Sequence, residues 1–454
     1  MADRAPQAPL SWFGIFRLGL VQTALGAIVI LTTSVLNRIM VVEYALPAVL
    51  PGALVGFHYA VQMSRPRWGY GSDMGGRRTR WIIGGMAILA IGGALAALAT
   101  AWMATQFWPA LALAIIAFAL IGVGVGACGT SLLALLATRV APTRRPAAAS
   151  IVWIMMIAGF VVTAATAGAQ LDPYSPQRLV AVCTVVSVVA FIVACIAVAG
   201  IEGQADTVPE HIQKQREKPA FWEVFREVWD EPKARHFTIF VFVSMLAYSA
   251  QDLILEPFAG LVFEFTPGES TQLASVQHGG VMAGMIVVAI CGSAIGGRVL
   301  GSMRFWAVGG CLASALAFAG LAMAAQVGEA WPLLLNTFAL GVANGAFAVA
   351  AIGSMMGLAT DGRGQREGTR MGIWGASQAI AFGLGGFLGT VAVDIARASL
   401  SDDALAYAIV FTVEGALFVL SAFIALKVAP CAALGEGARE HGAPNRNLGL
   451  QAAE

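Results

Sequence analysis

Gly69-Tyr70-Gly71-Ser72-Asp73-Met74-Gly75-Gly76-Arg77-Arg78 is a polar, glycine-rich stretch that lies between two apolar runs, near residues 46–64 and 81–104. A helix needs about 20 apolar residues to cross the hydrocarbon core of a bilayer, and each run has about that length. The glycines permit a tight turn, and arginines hold a loop on one side of a membrane. The stretch therefore predicts a short loop between two membrane-spanning helices.

The composition of the whole chain agrees with this prediction. Charged residues make up 12% of the 454 residues and apolar residues 58%, whereas an ordinary soluble domain carries about 25% charged residues. So few charges cannot cover a soluble surface of this size, which argues against a soluble enzyme and a disordered chain. The net charge of +1 provides no field for nucleic acid. The composition therefore predicts an all-α polytopic membrane protein that contacts lipid.

Apolar runs between charged or Pro/Gly breaks predict twelve transmembrane helices. The predicted spans are 14–37, 46–64, 81–104, 108–138, 148–170, 179–200, 237–263, 273–299, 305–326, 330–358, 372–396 and 404–427. An even number of spans places both termini on one side. All but three of the 27 Lys and Arg residues, namely Arg38, Arg178 and Arg397, fall on that side. The positive-inside rule therefore predicts that both termini are cytoplasmic.

The two halves of the chain follow one plan. His58 and His278 are 220 residues apart, and so are Arg78 and Arg298. A constant offset across several helices predicts two six-helix halves in parallel orientation. The predicted parts are an N-terminal half over 1–201, a cytoplasmic linker with an amphipathic helix over 202–235, a C-terminal half over 236–428 and a flexible cytoplasmic tail over 429–454.

The opening stretch resembles the signature loop of the major facilitator superfamily. The matching positions are Gly69, Asp73, Gly76, Arg77 and Arg78. The basic residue that usually follows the aspartate is replaced by Met74. The resemblance implies a major facilitator fold and a conformational role for these residues, in which Asp73 caps a helix or pairs with an arginine across the two halves. The simpler alternative is a turn whose arginines only set the orientation.

Charged and amide side chains inside the predicted spans are candidates for a functional or structural role, because inserting a charge at the centre of a membrane helix costs about 2.5–3.5 kcal/mol of free energy. The first span ends with Asn37, Arg38 and Glu43, and the seventh carries Gln251, Asp252 and Glu256; Asp252 and Glu256 share one helix face. Two hypotheses follow. The carboxylates form a proton-coupling pair, or they form a buried salt bridge with Arg38 that locks the outer ends of the first and seventh helices.

His58 and His278 lie in apolar runs at equivalent positions of the repeat. A neutral imidazole in such a place can bind a metal, including the magnesium ion of a chlorin ring. We therefore regard both as candidate pigment ligands. The alternative for each histidine is a hydrogen bond to a neighbouring helix. None of the six cysteines forms a CxxC pair, so the sequence predicts no directly bound metal ion.

Two further charged positions lie near the C-terminus. Asp394 and Arg397 are one helical turn apart, which predicts a local ion pair between them. Glu414 lies within the last predicted span and has no oppositely charged residue nearby in the sequence. The sequence offers no explanation for Glu414.

The string Leu246-Ala247-Tyr248-Ser249-Ala250-Gln251-Asp252-Leu253-Ile254-Leu255-Glu256-Pro257-Phe258 is similar to the hallmark of the PucC and LhaA proteins, the bacteriochlorophyll delivery branch of the major facilitator superfamily. Leu36-Asn37-Arg38-Ile39-Met40 with Glu43 also resembles a family segment, as does the run from Arg366 to Gly375. The similarity extends over roughly residues 12–428.

The resemblance implies an assembly factor for bacterial light-harvesting antenna complexes rather than an enzyme. Bacteriochlorophyll is the implied bound ligand. Antenna polypeptides, together with bacteriochlorophyll or its biosynthetic enzymes, are the implied partners. The implied location is the bacterial inner, photosynthetic membrane. A proton-coupled transporter of a small molecule or pigment is the alternative, based on the facilitator loop and on Asp252 and Glu256.

Overall fold

The structure is a computed structural model that describes residues 10–64, 77–141, 144–202, 232–291, 302–360, 367–400 and 402–428. Twelve long helices form this part of the chain. They are α1 Trp12–Thr33, α2 Val49–Gln62, α3 Arg78–Met103, α4 Phe107–Arg139, α5 Arg145–Leu171, α6 Pro176–Val198, α7 Pro232–Val262, α8 Pro267–Cys291, α9 Met303–Val327, α10 Leu333–Thr360, α11 Glu367–Ser399 and α12 Asp403–Val428.

The helices occupy the predicted spans, and the all-α membrane fold class is confirmed. Within the described residues, eleven helical segments are long and apolar enough to cross a membrane. The first of them runs over Trp12–Glu43, because α1 is prolonged by the short helix Val35–Arg38 and a π-helical turn at Ile39–Glu43. Helix α2 has 14 residues, and residues 65–76, which follow it closely, lie outside the described ranges.

The start of α8 differs from the prediction by six residues. The apolar run predicts a beginning at residue 273, whereas the helix begins at Pro267. The hydroxyl of Thr266 accepts from the amide of Glu269, whose carboxylate in turn accepts from the amide of Thr266, at 3.2 and 2.9 Å. This reciprocal capping box stabilises a polar first turn that hydropathy does not detect.

The helix packing of the first six helices recurs in the second six. Helix α1 packs against α5 and α6, as α7 packs against α11 and α12. The pairs α2–α4, α3–α4 and α3–α6 likewise correspond to α8–α10, α9–α10 and α9–α12. Each group has its own apolar core, with Met86 and Phe118 in the first and Phe318 and Phe347 in the second. The chain thus has the two six-helix halves of the major facilitator fold.

The two halves meet along a seam, defined here as the contacts of α2 with α11 and of α5 with α8. The seam is tight at both places. A Cβ atom on Gly268 of α8 would lie 2.6 Å from the carbonyl oxygen of Gly168 on α5, and one on Gly52 of α2 would lie 2.0 Å from the hydroxyl of Thr390 on α11. The boundaries predicted for the linker and the tail stay predictions, since 203–231 and 429–454 lie outside the described residues.

Candidate functional site

Asn37 joins the end of the first span to α7. Its side-chain amide donates a hydrogen bond of 2.6 Å to the carbonyl of Leu253, and the residue is fully buried. Leu253 immediately follows Asp252 in the string that carries the family resemblance. The first and seventh spans, which belong to different halves, are therefore held together at the level of the intramembrane carboxylates.

Arg38 lies one residue further along, and its guanidinium donates two hydrogen bonds within the described part of the chain. Its guanidinium pairs with Glu43, one turn ahead, and donates to the carbonyl of Phe265 in the loop after α7. Arg38 is buried, whereas the Glu43 side chain is 30% exposed. Arg38 therefore joins the ends of the first and seventh spans, and its paired carboxylate in this structure is that of Glu43.

Asp252 and Glu256 follow each other along one face of α7. Glu256 is buried, and Ser34 and Arg38 from the other half lie within interaction range of its carboxylate. Among the described residues, Glu256 Oε2 and Asp252 Oδ1 have no hydrogen-bond partner. The structure thus brings Asn37, Arg38, Asp252 and Glu256 to one region between the halves.

Gln251 belongs to a different polar group, inside the C-terminal half. The amide of Asn344 on α10 donates to Gln251 Oε1 at 3.1 Å, and the hydroxyl of Ser314 on α9 donates to Asn344 Oδ1 at 2.8 Å. All three side chains are fully buried. Sequence reasoning missed the participation of Ser314, because a serine in an apolar helix gives no signal of which residue it faces.

His58 and His278 have equivalent backbone bonds on α2 and α8. The Nδ1 atom of His58 lies 2.6 Å from the carbonyl of Val55, and that of His278 lies 2.9 Å from the carbonyl of Ala274. A carbonyl only accepts, so Nδ1 carries the proton in the neutral form of both rings and Nε2 carries the lone pair. In that tautomer, Nε2 could bind a metal ion.

Aromatic side chains connect these histidines to the seam. The ring of His278 packs edge to face on Phe160 of α5, with 5.0 Å between centroids. On the other side, His58 lies next to Tyr59, whose ring contacts Phe382 of α11, and Phe382 contacts Tyr248 of α7. The aromatic row Tyr59–Phe382–Tyr248 therefore crosses from the N-terminal to the C-terminal half.

One end of the bundle, called here the distal face, is where odd-numbered helices end and even-numbered helices begin. An open pocket of about 660 Å³ lies there, and its lining includes Arg38, Glu43, Asp172, Tyr174 and Glu264. The hydroxyls of Tyr44 and Tyr174 lie 2.8 Å apart beside it. Burial raises the pKa of the Tyr44 hydroxyl, which keeps the phenol neutral.

Asp394 and Arg397 do not pair with each other, contrary to the sequence-based expectation. Arg397 instead forms an ion pair of 2.7 Å with Asp403 at the start of α12. Asp394 accepts from the backbone amides of Ala48 and Val49 at 2.9 and 2.7 Å. The spacing of one turn pointed to the wrong partner because the start of α2 approaches Asp394 from the other half.

At the opposite end of the bundle, the structure describes only part of the signature loop. Gly69, Asp73 and Gly76 lie outside the described residues, while Arg77 immediately precedes α3 and Arg78 begins it. The carboxylate of Glu202 accepts from the backbone amides of Arg78 and Thr79 at 3.0 and 2.7 Å. The predicted role of the loop in joining the two halves stays a prediction.

Comparison with a solved structure agrees with this architecture. The chain is similar to the crystal structure of the peptide transporter POT in complex with sulfate, with a TM-score of 0.67 and 16% sequence identity. The match covers 92% of this chain and 96% of the transporter. This likeness shows the major facilitator fold and does not identify a substrate.

Comparison with sequences identifies the family. The family described as PUCC protein matches residues 35–432. The chain is 52% identical over 420 residues to the Bacteriochlorophyll synthase 44.5 kDa chain of Rhodobacter capsulatus, covering 92% of this chain and 96% of the relative. It is 30% identical over 385 residues to Protein PucC of Cereibacter sphaeroides, and this match covers 82% of this chain and 81% of the relative. The chain therefore belongs to the PUCC family of multi-pass membrane proteins.

Proposed function

We propose that this protein is an assembly factor for bacterial light-harvesting antenna complexes, which binds bacteriochlorophyll or delivers it to antenna polypeptides in the membrane. The observation that carries the proposal is 52% identity, across nearly the whole of both chains, to a relative whose name refers to bacteriochlorophyll. The proposed role is non-enzymatic. The word synthase occurs in the name of the relative, and we do not carry it over to this chain. The proposed location is the bacterial inner, photosynthetic membrane with both termini cytoplasmic.

The chemistry of the seam fits a chlorin ligand. When bound, bacteriochlorophyll would supply a magnesium ion that binds a neutral nitrogen, together with a flat apolar face, and the Nε2 atom of His58 or His278 would hold that ion. His58 and His278 each offer a neutral imidazole whose Nε2 carries a lone pair. The aromatic row Tyr59–Phe382–Tyr248 offers rings that would pack against an extended flat ligand.

Access to either imidazole requires movement along the seam. His58 is 2% exposed and His278 5%, so neither ring has a free face in this structure. A macrocycle could reach Nε2 of His58 only if α2 separated from its neighbours, and Nε2 of His278 only if α8 did. The proposal therefore includes opening of the seam before ligand binding. Single-span antenna helices and enzymes of bacteriochlorophyll synthesis are the proposed partners.

The first test is an absorption spectrum of the protein purified from a phototrophic host. We expect a bacteriochlorin band that is lost or strongly reduced in His58→Ala or His278→Ala. Gln277→Ala, which removes a buried polar side chain beside His278, is the matched control and should keep the band. A band that persists in both histidine variants would contradict ligation by these residues. Normal antenna complexes in a strain lacking the gene would contradict the assembly role itself.

A proton-coupled transporter is the second candidate, because the fold is that of major facilitator transporters and because Asp252 and Glu256 each keep a carboxylate oxygen without a partner among the described residues. Solute flux into liposomes that depends on a proton gradient would favour it. We expect Asp252→Asn and Glu256→Gln to abolish such flux. Unchanged function with lower thermal stability in both variants would show that the carboxylates are structural.

A further inference from the structure

At the distal face, the side chains of two aspartates form hydrogen bonds across the seam, and each caps a helix of the other half. Asp172, which directly follows α5, accepts from the hydroxyl of Thr266 at 2.7 Å and from the amide of Gly268 at 3.1 Å, both at the start of α8. Asp394, near the end of α11, accepts from the amides of Ala48 and Val49 at the start of α2. Both carboxylates therefore occupy helix N-termini, where negative charge is stabilised.

The two caps are related by the internal repeat. Asp172 and Asp394 are 222 residues apart, and the capped amides of Ala48 and Gly268 are 220 residues apart, close to the offset between the two halves. Among the long helices of the described residues, the two pairs with the most contacts between the halves are α2–α11 and α5–α8, and each of them carries one cap at the same end.

The start of α2 depends on the other half for its cap. Its N-cap residue is Ala48, which has no side-chain oxygen, and α2 makes no side-chain cap bond of its own. The carboxylate of Asp394 satisfies two of the amides that a helix start leaves unpaired. At α8, Asp172 bonds to Thr266, which is itself part of the capping box. Separating the halves at this face would leave both helix starts without these partners.

We propose that Asp172 and Asp394 form a two-point latch on the helix pairs α2–α11 and α5–α8, which acts beside the bond from Arg38 to the carbonyl of Phe265, and that release of both caps lets the molecule open at this face. The latch closes the face that carries the pocket beside Arg38. Opening would separate α2 from α11 and α5 from α8 at their distal ends. The inference concerns the motion of the chain and stands whether the ligand is a pigment or a transported solute.

The test is a distance measurement across the distal face of the full chain in lipid nanodiscs. Spin labels are placed at Thr105→Cys and Glu329→Cys, which are exposed positions in the loops after α3 and α9, with Cys195, Cys291 and Cys431 replaced by alanine in every variant. We expect a single distance distribution in the parent, a minor population at longer distance in Asp172→Ala and in Asp394→Ala, and a dominant longer distance in the double variant. Double electron–electron resonance measures the distribution of distances between the two labels and so reports each of these populations.

Asp402→Ala is the matched control. Asp402 is also an aspartate in a distal loop, and it caps the amide of Ala404 at the start of α12, which lies in its own half. Its removal costs a helix cap without crossing the seam, so the distance between labels should not change. A double latch variant that keeps the parental distance while remaining folded would overturn the proposal.

Hydrogen exchange of the single variants gives a second test, which holds even if the double variant fails to fold. Loss of a cap should speed exchange at the capped amides by about fivefold, the effect of a typical N-cap. A latch further predicts coupling between the caps. Asp172→Ala should speed exchange at Ala48 and Val49, and Asp394→Ala should speed it at Gly268. Faster exchange only at the helix start that lost its own cap would mean two independent caps and would overturn the latch.

Discussion

Glu414 is a buried carboxylate in the apolar part of α12. It shares a helix face with Phe411 and Phe418, whose rings pack against Phe318 of α9. It is 3% exposed, and neither carboxylate oxygen has a hydrogen-bond partner among the residues that the structure describes. A buried polar group without a partner destabilises the folded state by the free energy of its lost hydration. An apolar side chain at position 414 would therefore stabilise the fold at least as well as Glu414 does.

We predict that Glu414→Leu leaves the thermal stability unchanged or raises it, since it removes a buried polar group without a partner, which costs about 1–3 kcal/mol. Asn344→Leu is the contrasting variant. It removes the hydrogen bonds to Ser314 and Gln251 and should destabilise the fold by about 1–3 kcal/mol. Thermal unfolding in detergent, followed by tryptophan fluorescence, measures both. A large loss of stability in Glu414→Leu would indicate a partner that this conformation does not show.

Helix packing depends on which of two adjacent glycines faces a neighbour. On α3, a Cβ atom on Gly85 would lie 2.6 Å from the backbone nitrogen of Cys128 on α4, whereas one on Gly84 would meet nothing within 4 Å. The equivalent helix α9 repeats the arrangement, with Gly310 tight against Phe347 and Gly309 open. Small residues at such contacts let membrane helices approach closely. The pairs α3–α4 and α9–α10 therefore use the same packing device.

Gly85→Ala should destabilise the protein strongly, by roughly 1–3 kcal/mol, because overpacking forces α3 and α4 apart. Gly84→Ala is the control at the neighbouring residue. It should be neutral or stabilising by up to about 1 kcal/mol, because alanine favours the helix over glycine. The measurement is the melting temperature of each variant, which should be clearly lower for Gly85→Ala than for Gly84→Ala. Equal melting temperatures would contradict the assignment of Gly85 to the interface.

Sequence reasoning predicts the helices well and their partners poorly. Length and hydropathy set the spans, because the bilayer thickness fixes how many apolar residues a helix needs. Partners across the molecule are different. Asn37 bonds to a backbone carbonyl of α7, and Asp394 bonds to backbone amides of α2. Backbone groups are the same at every residue, so no pattern of side chains marks them as the partners of a distant amide or carboxylate.

At the scale of the whole molecule, the two halves behave as separate packing units joined at the seam. Each half has its own apolar core, although Leu253 of α7 packs into the first core, and small clusters such as Ile157 with Val281 and Met285 join the halves. We predict that residues 1–215 and 216–454, expressed as two chains in one cell, assemble and copurify. Copurification by a tag on one chain measures this. Aggregation of each chain alone, with none recovered together, would contradict the division into two units.

The cap at the start of α3 has a mechanical consequence for the segment that connects the halves. Glu202 holds the amides of Arg78 and Thr79, and residue 203 begins the connecting segment. The same helix start is where the glycine-rich loop 69–78 ends. A displacement of residue 202 would therefore act directly on the start of α3, where that loop ends. Among the described residues, the carboxylate of Glu202 thus joins the end of the N-terminal half to the first residues of α3.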